Sequence, residues 1–136
     1  MNLLWLVIAI AVATVVTSFT DWFFSGFLFH DKYLVYPETW RGGGGESETN
    51  KIIWSNVYGA ISCAAFIWVA ARLMLVQPQH SLKLALAAWV IGALPVVGTY
   101  YVWVKIHRLN AIAHALGWLV RFVVCALCVS FIYRGH

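Results

Sequence analysis

Four apolar runs follow one another along this chain, and each is long enough to cross a hydrocarbon core. They extend from about Leu3 to Phe29, Ile52 to Val76, Leu82 to Val104 and Ala111 to Tyr133. A spanning helix needs about 20 predominantly apolar residues for a core about 30 Å thick. Lipid accepts only structures that satisfy their own backbone, which means helices or closed barrels, and runs of this length are not barrel strands. The expected fold is therefore all-α: an integral membrane four-helix bundle in a single domain, residues 1–136, with one long Gly-rich loop between helices 1 and 2. The 62% hydrophobic residues, 10% charged residues and mean hydropathy of +0.81 lie outside the range of soluble domains. Residues 1–20 lack a positive n-region and the apolar run continues past any cleavage point, so they read as a retained first helix.

The first run is too long for a straight helix and must tilt, bend near Ser25-Gly26 or finish in the interface. The long connection carries Tyr33, Tyr36 and Trp40 and then Gly42-Gly43-Gly44-Gly45, a glycine run that resists ordering. Trp54, Tyr100, Tyr101 and Trp103 are expected to complete an aromatic belt on the same side. The other two connections are short, which predicts that helices 2, 3 and 4 pack as antiparallel neighbours. With the termini on side A and the long loop on side B, side A offers Arg72, Lys83 and Arg134, and side B offers Lys32, Arg41, Lys51, Lys105 and Arg108. The cation bias favours side B as cytoplasmic. The net charge of +4 is spread over helix ends with no basic cluster, so no nucleic-acid partner is expected.

Small and polar residues recur at helical spacing: Thr14, Thr17, Ser18, Asp21 and Ser25; Asn56, Gly59 and Cys63; Ala85, Ala88, Gly92, Pro95 and Thr99; Asn110, His114, Gly117, Arg121, Cys125 and Cys128. In lipid such stripes mark helix contacts. Two members are charged. Asp21 is the one acid among the first 29 residues, and at 1.5 Å per residue Asp21 and Arg121 lie roughly 13 and 16 Å in from side B. Unpaired, each would cost about 2.5–3.5 kcal/mol or more, so a direct or water-bridged contact is expected. Pro95 falls at a similar level and frees the carbonyl of Ile91. Adding Asn56 and His114 defines a candidate ligand pocket of Asp21, Asn56, His114 and Arg121, rimmed by Trp22, Tyr58 and Tyr100.

Cys125-Ala126-Leu127-Cys128 matches a thiol-redox spacing, but Cys63 alone remains as a third thiol, so packing is the reading. His114 is the one histidine well inside a span, too few for a bis-histidine haem, and no spacing supports a metal; no cofactor is expected. Three functional readings remain: a module binding or moving a small or lipophilic ligand at the Asp21/Arg121 pocket; a structural or accessory subunit in which that pair only locks the bundle; and an intramembrane enzyme using His114 and Asp21 as acid and base. The expected partners are the bilayer, a lipid or small hydrophobic ligand, and further copies of the chain in a homo-oligomer.

The opening Met1-Asn2-Leu3-Leu4-Trp5-Leu6, the aromatic close of helix 1 in Trp22-Phe23-Phe24-Ser25-Gly26-Phe27-Leu28-Phe29, and Leu109-Asn110-Ala111-Ile112-Ala113-His114-Ala115-Leu116-Gly117-Trp118-Leu119 carry a resemblance. The whole-chain layout resembles a bacterial family of small four-helix membrane proteins catalogued as a domain of unknown function (family 1761). Ser25-Gly26 stands where that family usually has Pro, and the Gly-rich insert is additional. The resemblance implies a four-helix topology and a bacterial inner (cytoplasmic) membrane location, and the family has no assigned activity to carry over.

Overall fold

The structure, a computed structural model, describes residues 1–39 and 48–134. Four long helices account for most of them: α1 (Leu3–Leu28), α2 (Glu48–Arg72), α3 (Pro78–Trp103) and α4 (Arg108–Tyr133). All four are long and apolar enough to cross a membrane, and no strand occurs among the described residues. The protein is a multi-pass four-helix membrane bundle. The glycines at 42–45, with Trp40 and Arg41, lie outside the described residues.

Helix boundaries follow local chemistry. The turn after α2 ends with Met74 at φ 56° and the Leu75 amide donating to the Ala70 carbonyl at 2.9 Å, the left-handed closure that stops a helix. The second helix thus ends at Arg72, before the expected Val76. Pro78 opens α3 in the first turn, where its missing amide is harmless. His107 caps α4, its Nδ1 accepting from the Leu109 amide at 3.1 Å. α2, α3 and α4 all begin a few residues earlier than hydropathy alone indicates, because polar first turns carry the helix out of the apolar zone.

Three spans widen into π-turns: Trp22–Leu28 in α1, Trp89–Ala93 in α3 and Val129–Tyr133 in α4. The first begins directly after Asp21, and it is how the overlong first run finishes. In α3 the Leu94 amide reaches back five residues to the Trp89 carbonyl, and the residue after it, Pro95, has no amide to offer. The wider turn absorbs the break that proline introduces.

The packing order corrects one expectation. α4 is the central helix, with α1, α2 and α3 all against it, and α1 also packs on α2. α2 and α3 scarcely touch. The five residues between them can span about 16–18 Å when extended, enough to step past a neighbour whose axis stands 8–10 Å from each. Short loops therefore did not force adjacency. The buried core is fine-grained: Leu6, Ala9, Ala13, Cys63, Phe66, Ile67, Ala70, Ala85, Cys125, Ala126 and Val129. Small residues let the backbones close, as dispersion and hydrogen bonding must hold helices together where lipid is as apolar as leucine. Near side A, the buried hydroxyls of Ser81 and Ser130 meet at 2.7 Å, tying α3 to α4.

Side B has its own tie. The Thr39 hydroxyl donates to the Lys105 carbonyl at 2.6 Å, and the Lys105 ammonium stands 3.6 Å from Glu38 and 5.4 Å from the centre of the Tyr36 ring. The first part of the long loop is thereby laid against the α3–α4 connection. Trp54, Tyr100, Tyr101 and Trp103 are all exposed near this end of the bundle.

Candidate functional site

The polar layer assembles from three helices. α1 delivers Asp21 as the last residue of its regular α-helical stretch. α4 delivers Arg121, 7% exposed, with its Nη2 donating to Asp21 Oδ2. The contact expected from matching depths is therefore present, and it is direct. α2 supplies what the depth argument did not: a place to put the guanidinium. A β-carbon built on Gly59 would lie 3.0 Å from both terminal nitrogens of Arg121 and 3.2 Å from Cζ. No residue with a side chain fits there without displacing the guanidinium.

A further wall of the cage is aromatic. Arg121 Cζ stands 4.7 Å from the centre of the Trp118 ring, and this ring face attracts a cation more strongly as water is excluded. Trp118 in turn meets Phe122, ring centres 5.7 Å apart, and Phe122 meets Phe66 of α2 at 5.6 Å. Gly117 lies beside the carboxylate, where a β-carbon would meet Asp21 Oδ1 at 3.7 Å, an ordinary contact distance. The guanidinium is thus held by a carboxylate, a glycine backbone and an indole, while its Nε is buried with no hydrogen-bond partner among the described residues.

Burial is unequal across the pair. The Arg121 side chain is 8% exposed and that of Asp21 is 39% exposed. The acid sits at the edge of the layer and the base at its centre. A further layer lies toward side A, where the Thr17 hydroxyl and Cys63 sulfur are 3.6 Å apart and Cys125 lies against Cys63. The three cysteines are free and buried, and no group of three metal-ligating side chains occurs among the described residues.

The remaining residues of the expected pocket do not gather around this pair. Asn56 is exposed and its amide donates to the Ile52 carbonyl of its own helix at 3.0 Å. Tyr58 is exposed, its ring 6.3 Å from Trp54 one turn away. Trp22 stacks on Phe27 within the aromatic close of α1 and faces outward. Tyr100 is exposed on α3 beside a shallow groove shared with Pro95, Val96 and Thr99. His114 is half-buried on the α4 stripe, seven residues from Arg121, or about 10 Å along the axis. Matching depth along a helix does not fix azimuth: Asn56, Tyr58, Trp22 and Tyr100 are exposed, while His114 shares the face of Arg121 about two turns nearer side B. The residues sequence reasoning left out of the site are Gly59, Gly117 and Trp118. Gly59 and Gly117 stood in the small-residue stripes, and Trp118 precedes Arg121 by three, a spacing that places neighbours on a helix surface.

One more polar side chain is out of the ordinary. Asn110, near the side-B end of α4, is 1% exposed, and neither amide atom has a hydrogen-bond partner among the described residues. On α3, the Trp89 indole donates to the Ala115 carbonyl of α4 at 2.8 Å. No protein-family model, curated protein or solved structure matches the chain.

Proposed function

We propose that the protein is a small structural or accessory subunit of a membrane assembly, in which the Asp21–Arg121 pair is architectural. The observation that supports this reading is the filled cage around Arg121: carboxylate, Gly59 backbone and Trp118 ring surround a residue that is 7% exposed. Two surface grooves, one at Pro95, Val96, Thr99 and Tyr100 and one between α2 and α3, are lined by residues other than Asp21, His114 and Arg121. A charge buried this way orders three helices at one depth and in one azimuth, the registering role for which buried ionic groups are best attested. The family resemblance supports a bacterial inner membrane location, and the loop cations support termini on the outer side.

The test is the double replacement Asp21→Leu/Arg121→Leu. If the pair only locks the bundle, the double variant folds, melts close to wild type and sustains whatever phenotype depends on the intact gene. A stable double variant that loses the phenotype would overturn the reading.

A second reading rests on the exposure of Asp21. A carboxylate 39% exposed can be reached by a small ligand from its open side, as a module for a small or lipophilic molecule requires. Under that reading, ligand-induced thermal shifts vanish in Asp21→Asn while the variant remains helical by circular dichroism.

A further inference from the structure

Because α4 stands between them, α2 and α3 leave a lateral cleft on one side of the bundle. Ser62, Ala65, Phe66 and Val69 of α2 and Leu84 and Ala88 of α3 form its walls, and Phe122 of α4 forms its floor. It measures about 320 Å³. The one polar wall group, the Ser62 hydroxyl, already donates to the Tyr58 carbonyl at 2.9 Å. The cleft therefore makes no polar demand, and it opens at the depth of the spans, where the surrounding medium is hydrocarbon.

The end of the cleft toward side A is cationic. Arg72 lies one turn beyond Val69, exposed, with its guanidinium 5.9 Å from the centre of the Trp68 ring. Lys83, also exposed, immediately precedes Leu84. Every Asp and Glu of the chain falls between residues 21 and 48, within the part of α1 nearest side B, the long loop and the first residue of α2. The cations of side A therefore have no Asp or Glu side chain at their own end of the molecule. Side B differs, with Lys105 standing beside Glu38.

We propose that the α2–α3 cleft binds an anionic phospholipid, one acyl chain lying on Phe122 between the two helices and the phosphate meeting Arg72 and Lys83. Arginine suits this role because its planar fork matches phosphate oxygens while its stem lies along apolar surface. The site lies apart from the polar layer and holds whichever reading of Asp21 is right. The aromatic series Phe66, Phe122, Trp118 joins its floor to the Arg121 cage.

Native mass spectrometry of the detergent-purified chain, offered dioleoylphosphatidylglycerol or dioleoylphosphatidylcholine, tests the site. The wild type should retain one phosphatidylglycerol with at least about five-fold preference, the scale expected for one cation at a lipid surface. Arg72→Gln/Lys83→Gln should bring both lipids to the same retention. Ala65→Trp and Ala88→Phe fill the cleft from opposite walls, and each variant that keeps its helix content by circular dichroism should lose the lipid. Equal retention of the two lipids by the wild type overturns the proposal. So does unchanged retention in a folded cleft-filling variant. Displacement of the lipid by inorganic phosphate would show an anion site without a chain site and would also overturn it.

Discussion

The guanidinium of Arg121 occupies the space that a side chain at position 59 would need. A β-carbon on Gly59 would stand 3.0 Å from Nη1 and from Nη2, tighter than most such contacts, so the guanidinium would have to give way. Gly59 thus serves as a wall, allowing α4 to bring a charge against the α2 backbone. Gly59→Ala should lower stability in detergent by about 1–2 kcal/mol, because the guanidinium is already held by Asp21 and Trp118 and must give up one of them. With Arg121→Met in the background the sign should reverse, since alanine exceeds glycine in helix propensity by about 0.8–1 kcal/mol. Thermal melts of the four members of this cycle check it, and a cost that persists without the arginine would contradict the contact.

Asp21→Asn tests the other side of the cage. It leaves Arg121 buried without a counter-charge, and removing one partner of a buried pair costs about 3–5 kcal/mol. The Asp21 side chain is 39% exposed, which places the expected loss at the low end, about 3 kcal/mol. Replacing both by leucine removes the stranded charge and should recover most of that loss. Melting temperatures that fall equally in the single and double variants would show that the cage, rather than the charge pair, matters.

Much of the fold was legible because lipid imposes simple rules. Run length selected helices, and Asp21 and Arg121 could be paired from depth alone, since charges in hydrocarbon need each other. Azimuth was not legible. Asn56 and Tyr58 are at fitting depths yet turn outward, because a hydropathy pattern cannot say which neighbour a polar side chain faces when its own helix already satisfies it. The helix order was hidden for a related reason: loop length bounds reach but does not choose between neighbours. α4 could take the centre because its stripe of small and polar residues continues from Asn110 to Cys128.

The Ser81–Ser130 contact makes a sharper prediction than its size suggests. Ser81→Ala removes one hydroxyl from a buried pair and leaves the other short of a partner, a loss of about 1–2 kcal/mol. Ser81→Ala/Ser130→Ala removes both and should be less damaging than the sum of the single changes. Additive losses in a double-mutant cycle would mean that the 2.7 Å contact contributes nothing of its own.

Beyond the backbone of its own helix, nothing stands within 4 Å of where a β-carbon on Gly98 would be, and the residue lies in the regular part of α3. Gly98→Ala should therefore raise the stability of the isolated chain by about 0.5–1 kcal/mol, through reduced freedom of the unfolded backbone and better helix propensity. Differential scanning fluorimetry in detergent reads this directly. A lower melting temperature would show that another element or another copy packs against this face of α3.

Asn110 gives the prediction that best separates a packed bundle from a working polar site. The residue is 1% exposed, and neither the nitrogen nor the oxygen of its amide has a hydrogen-bond partner among the described residues. Leaving such a group unsatisfied costs about 1–3 kcal/mol, whereas an apolar group of similar shape at the same place costs little. Asn110→Leu keeps the branch point of the side chain and removes the unmet demand. As a purely structural position, it should therefore gain about 1 kcal/mol or more in detergent melts. A loss of similar size would mean that the amide is satisfied in the membrane by a bound water or a ligand near the side-B end of α4, and that the polar stripe running from Asn110 through His114 to Arg121 is occupied. The two outcomes differ in sign, so a melting curve resolved to about one degree decides between them.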